Sequence, residues 1–109
     1  MPKATDERRN ATRYAIVLAA DVLELPDGAK LSARTSDISR TGCYLDSLNP
    51  LAKGSQIHIS IKQHEEMFEV LARVMYVSPG LGMGVAFEDI APEQQARLQR
   101  WLEASHKEC

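Results

Sequence analysis

Hydrophobic and polar positions alternate along most of this chain. The clearest stretch is Ser55 to Lys62, where Ile57, Ile59 and Ile61 share one face and Gln56, His58, Ser60 and Lys62 share the other. That period of two predicts a half-buried strand. Met67 to Val77 is a longer strand, with Phe68, Val70, Ala72, Val74 and Tyr76 on one side. Gly82 to Phe87 sets Met83, Val85 and Phe87 on one face, with only Gly and Ala between them. Upstream, Tyr14 to Leu25 is rich in Ile, Val and Leu and ends at Pro26-Asp27-Gly28, a turn in which Pro presets φ. Leu31 to Ile38 is a further strand of mixed pattern, and Gly42 to Asp46 a short one closed by Asn49-Pro50. From Pro92 the period changes: Leu98, Trp101 and Leu102 recur at helical spacing, which predicts an amphipathic helix over about 92–105. Pro92 suits the first helical position and Glu93 the positive end of the helix dipole. Six short strands followed by one helix predict a small antiparallel barrel or sandwich, the helix packed on it or over one mouth.

Composition sharpens this picture. At 109 residues and 44% hydrophobic content, the chain makes one globular domain with a core of its own. The longest apolar run, Tyr14 to Ala20, is far too short to span a membrane, so no membrane insertion is expected. Cys43 and Cys109 form neither a disulfide framework nor a metal spacing, and the N-terminus lacks an apolar secretion signal, so a cytoplasmic protein is expected. The formal net charge of -2 argues against DNA as a partner, since duplex nucleic acid is met by a surplus of Lys and Arg. That charge is unevenly spread. Residues 1–13, with Lys3, Arg8, Arg9 and Arg13 against Asp6 and Glu7, carry +2, and residues 14–109 carry -4. Two readings of this flexible basic arm stand open, a solvated tail and an anion-binding element.

Catalytic chemistry finds little support. His58 lies on the polar face of a strand, His64 in a charged turn and His106 in the tail, none at metal-ligand spacing. Cys43 reads as a small buried hydrophobe. Gly80-Leu81-Gly82-Met83-Gly84 is superficially like a dinucleotide loop, but a strand follows it where a helix is required. These glycines are better explained as relieving a turn and admitting a neighbouring side chain. No enzyme, metal or cofactor is predicted.

Two elements stand out jointly. Arg9-Asn10-Ala11-Thr12-Arg13 places two arginines four positions apart, with Arg8 directly before them. Asp37-Ile38-Ser39-Arg40-Thr41-Gly42 ends a strand in a polar turn. Asp37 and Ser39 point to one side in extended chain, and Gly42 can adopt a backbone angle closed to other residues. In this order, ahead of this strand pattern, the two elements resemble the PilZ domain, a bacterial receptor module for cyclic di-GMP. Its signature is an Arg-x-x-x-Arg arm followed by [Asp/Asn]-x-Ser-x-x-Gly. The resemblance runs from about Asp6 to the C-terminal helix and includes Gly84-Val85-Ala86-Phe87 and Glu88-Asp89-Ile90.

The resemblance implies a mainly β fold: a six-stranded antiparallel barrel over residues 14–109 with a C-terminal helix, preceded by a flexible arm at 1–13. It implies that cyclic di-GMP binds between Arg9 and Arg13 on the arm and Asp37, Ser39 and Gly42 at the turn. A downstream protein partner would then read the signal. The chemistry is compatible: Arg forks match guanine O6 and N7 or phosphate, a carboxylate accepts guanine N–H groups, and a hydroxyl reaches base or phosphate. In the family, the residue before the first motif is linked to how many ligands bind; here it is Arg8. Arg34 and Arg40 are further candidates, a solvated surface role being the rival for each. Tyr76 is a further candidate to offer a ring near the site, but it shares the face of Val70 and Val74, so a place at the core or its rim is expected. A PilZ-fold protein-protein adaptor that ignores nucleotide is the alternative function. A nucleic-acid-binding barrel would need aromatics interleaved with basic residues, which 6% aromatic content without such a stripe does not supply.

Overall fold

The computed structural model describes residues 12–108, with side chains through Ser105. Six strands, β1 (Ala19–Glu24), β2 (Lys30–Ile38), β3 (Gly42–Asp46), β4 (Gln56–Gln63), β5 (Glu66–Ser78) and β6 (Gly82–Glu88), precede one helix, α1 (Pro92–Glu108). The strands close into an antiparallel barrel in the order β1-β2-β3-β6-β5-β4, which settles barrel against sandwich. Closure leaves no strand edge open to another chain. In β4, the predicted alternation holds: Ile57, Ile59 and Ile61 point inward and are fully buried. With Val22, Leu45, Phe68, Val74 and Met83 they fill the interior, so the barrel is a packed core without a lumen.

One expected strand is shorter than its hydrophobicity suggests. Of Tyr14 to Leu25, only Ala19–Glu24 joins the ladder on both sides, pairing with β2 and β4. Tyr14 makes a single bridge to Ile38, and the residues between are held by a side chain, as described below.

Helix α1 buries Leu98, Trp101 and Leu102 against the barrel, and the Trp101 ring meets Phe68 edge-on at 6.2 Å between centroids. Glu66, the first residue of β5, latches the helix. Its carboxylate accepts the Trp101 indole N–H at 2.7 Å and both Arg100 terminal N–H groups at 3.1 Å, with Arg97 Nε 3.7 Å away. Arg97 also donates to the Met67 carbonyl at 2.6 Å, and the Glu69 amide donates to Gln94. The Trp101 and Arg100 hydrogen bonds hold the Glu66 carboxyl below its ordinary value of 4.5.

A depressed folded-state value stabilises the fold above the ordinary carboxylate range, and that contribution disappears as pH falls through the depressed value. Glu66→Gln should therefore melt below wild type at pH 7, and thermal scans from pH 7 to 3 should show the gap closing in acid. An equal gap at all pH values would refute the latch. Leu98→Ala empties a site that is 1% exposed and should cost roughly 2–5 kcal/mol in urea denaturation.

Candidate ligand site on the outer face of the barrel

The segment entering the barrel is tied down beside the polar turn. Tyr14 and Ile38 exchange two backbone hydrogen bonds, each 2.9 Å. Further along, the Thr35 hydroxyl donates to the Ile16 carbonyl at 2.6 Å and accepts the Leu18 amide at 2.9 Å, while the Thr35 amide donates to the Leu18 carbonyl at 2.9 Å. Thr35 is fully buried, so this clasp does the work of a ladder where strand pairing stops. Its result is positional. Arg13 emerges next to β2, and its guanidinium donates to the Asp37 carboxylate at 2.8 Å. The second arginine of one motif and the acid of the other are thus neighbours. Their side chains remain 52% and 30% exposed, so the pair is weak as a structural bond and both groups stay within reach of a ligand.

Asp37 reaches the surface through a bulge. Thr35 faces the core, and strict alternation would point Asp37 inward as well. The β2–β3 register instead steps between Thr35 and Asp37: Thr35 opposes Leu45, Asp37 opposes Tyr44, and Ile38 opposes Cys43. Ser36 is the extra residue, and it swings the carboxylate outward while returning Ile38 to the core. A second bulge acts likewise on β5. Val74 opposes Val85, Tyr76 opposes Gly84 and Val77 opposes Met83, with Met75 the extra residue. Tyr76 therefore leaves the face of Val70 and Val74 and stands 47% exposed, which corrects the core or rim position expected from its spacing. The outer surface now carries Asp37, Tyr44, Gly84 and Tyr76 in one row across four strands. The Tyr44 and Tyr76 rings lie 6.1 Å apart, and a Cβ on Gly84 would collide with the Tyr76 ring. The glycines of β6 thus admit neighbouring side chains, as their spacing suggested.

The turn itself is built by Ser39. Its hydroxyl, 3.2 Å from the Thr41 and Gly42 amides, accepts both, and its amide donates to the Gly42 carbonyl at 2.8 Å. Ser39 is 3% exposed, so in the free chain this hydroxyl serves the turn. Gly42 does not use a left-handed backbone angle, contrary to expectation; glycine is required because a Cβ there would strike the Val85 carbonyl of β6. Cys43 faces the core, and burial, reinforced by nearby Asp37, pushes its thiol well above the ordinary range, which leaves it no nucleophilic role.

The remaining candidates divide. Arg34 is exposed on the outer face of β2, opposite Asp46. Arg40 turns instead toward a cleft of about 350 Å³ between α1 and the entering segment, with Tyr14, Leu98 and Leu102 among its walls. Arg8 and Arg9 lie outside the described residues. Tyr44 was overlooked in the sequence, although its place between buried Cys43 and Leu45 marks it as outward-facing. Among the described residues, no cluster of His, Cys, Asp and Glu is placed to hold a metal, and no helix is long and apolar enough to cross a membrane.

The family model for the PilZ domain matches residues 7–104. The chain belongs to the PilZ family. Solved structures agree on the fold. The PilZ domain with c-di-GMP of YcgR from Escherichia coli superposes with a TM-score of 0.77 at 20% identity, covering 93% of each chain. The PilZ domain of CeSA from a cellulose-synthesizing bacterium gives 0.69 at 16% identity, over 85% of this chain and 96% of that one. The Bacillus subtilis inhibitor of motility MotI/DgrA gives 0.71 at 21% identity, over 86% of this chain and 48% of its own, so there the PilZ fold occupies about half of a longer protein. No curated protein matches in sequence.

Thr35→Val keeps shape but removes the clasp, and should cost about 1–3 kcal/mol. Amide exchange followed by NMR should quicken selectively at Leu18, whose N–H loses its acceptor. Unchanged protection there would show that the entering segment is held by other means.

Proposed function

We propose that this PilZ domain is a receptor for cyclic di-GMP, binding it between the Arg-x-x-x-Arg arm and the Asp-x-Ser-x-x-Gly turn. The observation that carries the reading is the Arg13–Asp37 contact, which brings two motifs 24 residues apart in sequence onto one exposed patch. Family membership and the fold likeness to a YcgR domain solved with c-di-GMP support it. In this reading Arg13 exchanges its carboxylate partner for a guanine edge or a phosphate, freeing Asp37 to accept guanine N–H groups. Arg9, four residues earlier, can grip a different part of the ligand, since that span reaches roughly 13 Å when extended. Ser39 and Gly42 contribute by shaping the turn that presents Asp37. Tyr44 and Tyr76 offer ring faces alongside.

The interior is filled, so binding takes place on the outside and the output is a changed surface. Ligand draws the basic arm across the barrel, and a protein partner reads the face made jointly by arm, turn and nucleotide. The role is that of a receptor, with no chemical step. Local arginines rather than net charge meet the phosphates, which reconciles an anionic ligand with an acidic body.

Calorimetric titration of the purified chain with cyclic di-GMP, with GTP as control, should show selective binding. Arg13→Ala should weaken it at least about 100-fold, the loss of two charge-assisted contacts. Unchanged affinity in that variant would sink the assignment, and a flat wild-type titration would favour the nucleotide-independent adaptor.

A further inference from the structure

An open groove of about 750 Å³ lies on the outer face, lined by Ala33, Arg34, Tyr44, Asp46, Leu48 and Leu81 among others. It adjoins the Arg13–Asp37 pair, because Tyr44 is the cross-strand neighbour of Asp37 and Arg34 lies three residues before it. Leu48 and Leu81, 81% and 69% exposed, stand on the loops that bound it, and the Ser47 amide ties those loops together through the Leu81 carbonyl at 2.9 Å. Such exposure is uneconomic for a surface meant only for water. At the base, Arg34 and Asp46 sit directly opposite one another on β2 and β3. Opposite charges so placed normally pair. Among the described residues, neither is engaged in an ion pair or side-chain hydrogen bond.

A cationic donor and a carboxylate acceptor, side by side at one strand spacing of ~4.8 Å, form a short polar ruler. Guanine's Watson–Crick edge presents the matching order: the O6 acceptor, then the N1–H and N2–H donors. Adenine presents a donor followed by an acceptor and would set like against like. An aromatic wall and aliphatic rims complete the usual composition of a nucleobase site. We infer that this groove seats the guanine not held by Asp37, with Arg34 donating to O6 and Asp46 accepting from N1–H and N2–H. Arg34 and Asp46 then set base specificity at this second guanine. The inference rests on the receptor reading above.

Replacing guanine by hypoxanthine removes only the N2 amino group, so cyclic di-inosine monophosphate is the discriminating probe. By calorimetry, the wild-type chain should bind cyclic di-GMP at least about tenfold more tightly than the inosine analogue. Asp46→Ala should weaken cyclic di-GMP by about tenfold or more and cut that preference by about threefold or more, the remainder residing in the N–H groups that Asp37 accepts at the other guanine. Arg34→Ala should weaken both dinucleotides by the same factor, since both carry O6. Melting curves of each variant confirm that it is folded. A preference that Asp46→Ala leaves unmoved, while Arg13→Ala still abolishes binding, overturns the groove alone. A wild-type chain that binds neither dinucleotide overturns the receptor reading with it.

Discussion

The candidate site of this protein depends on one buried hydroxyl. Thr35 stands where the first strand gives out, and its Oγ1 ties two backbone groups of the entering segment to β2. Without that tie, the Ile16 carbonyl and the Leu18 amide would lose the partner they share. The cost of leaving a buried amide and carbonyl unpaired fixes where the chain must enter the barrel. That entry point in turn decides that Arg13 meets Asp37. A side chain outside the proposed ligand contacts thereby sets the spacing of the two residues proposed to make them.

Much of the fold was legible from alternation because the barrel buries one face of each strand. Ile57, Ile59 and Ile61 needed nothing beyond their period, and the helical repeat of Leu98, Trp101 and Leu102 was as plain. Bulges are where legibility fails. A bulge shifts the phase of the alternation by one residue, and neither Ser36 nor Met75 differs in composition from an ordinary strand residue. Tyr76 was consequently read onto the wrong face, and Tyr44 was not weighed at all. The upstream strand was overextended for a related reason: Tyr14 to Leu18 is as apolar as a strand, but a side chain takes over its pairing.

The candidate site was legible as two motifs and illegible as a surface. Asp37 and Arg13 were identifiable by residue type and order. That Ser39 and Gly42 act first on the backbone, one by accepting amides and the other by clearing space for the Val85 carbonyl, required knowledge of what lies opposite. The groove beyond them is assembled from β2, β3 and two loops, and no local pattern announces it.

The Ser36 bulge bears on how such a protein diversifies. Side chains along the outer row can be exchanged one at a time while the packed interior is untouched. The pairing at that point cannot be. Were Ser36 drawn into regular pairing with every residue kept, the Asp37 carboxylate would turn into the hydrophobic interior and Ile38 into water, whereas loss of Ser36 itself would leave both facing as they do and only straighten the strand. Across divergent relatives, the bulge residue should therefore vary freely or be absent altogether, while the outward acid and the inward hydrophobe beside it persist.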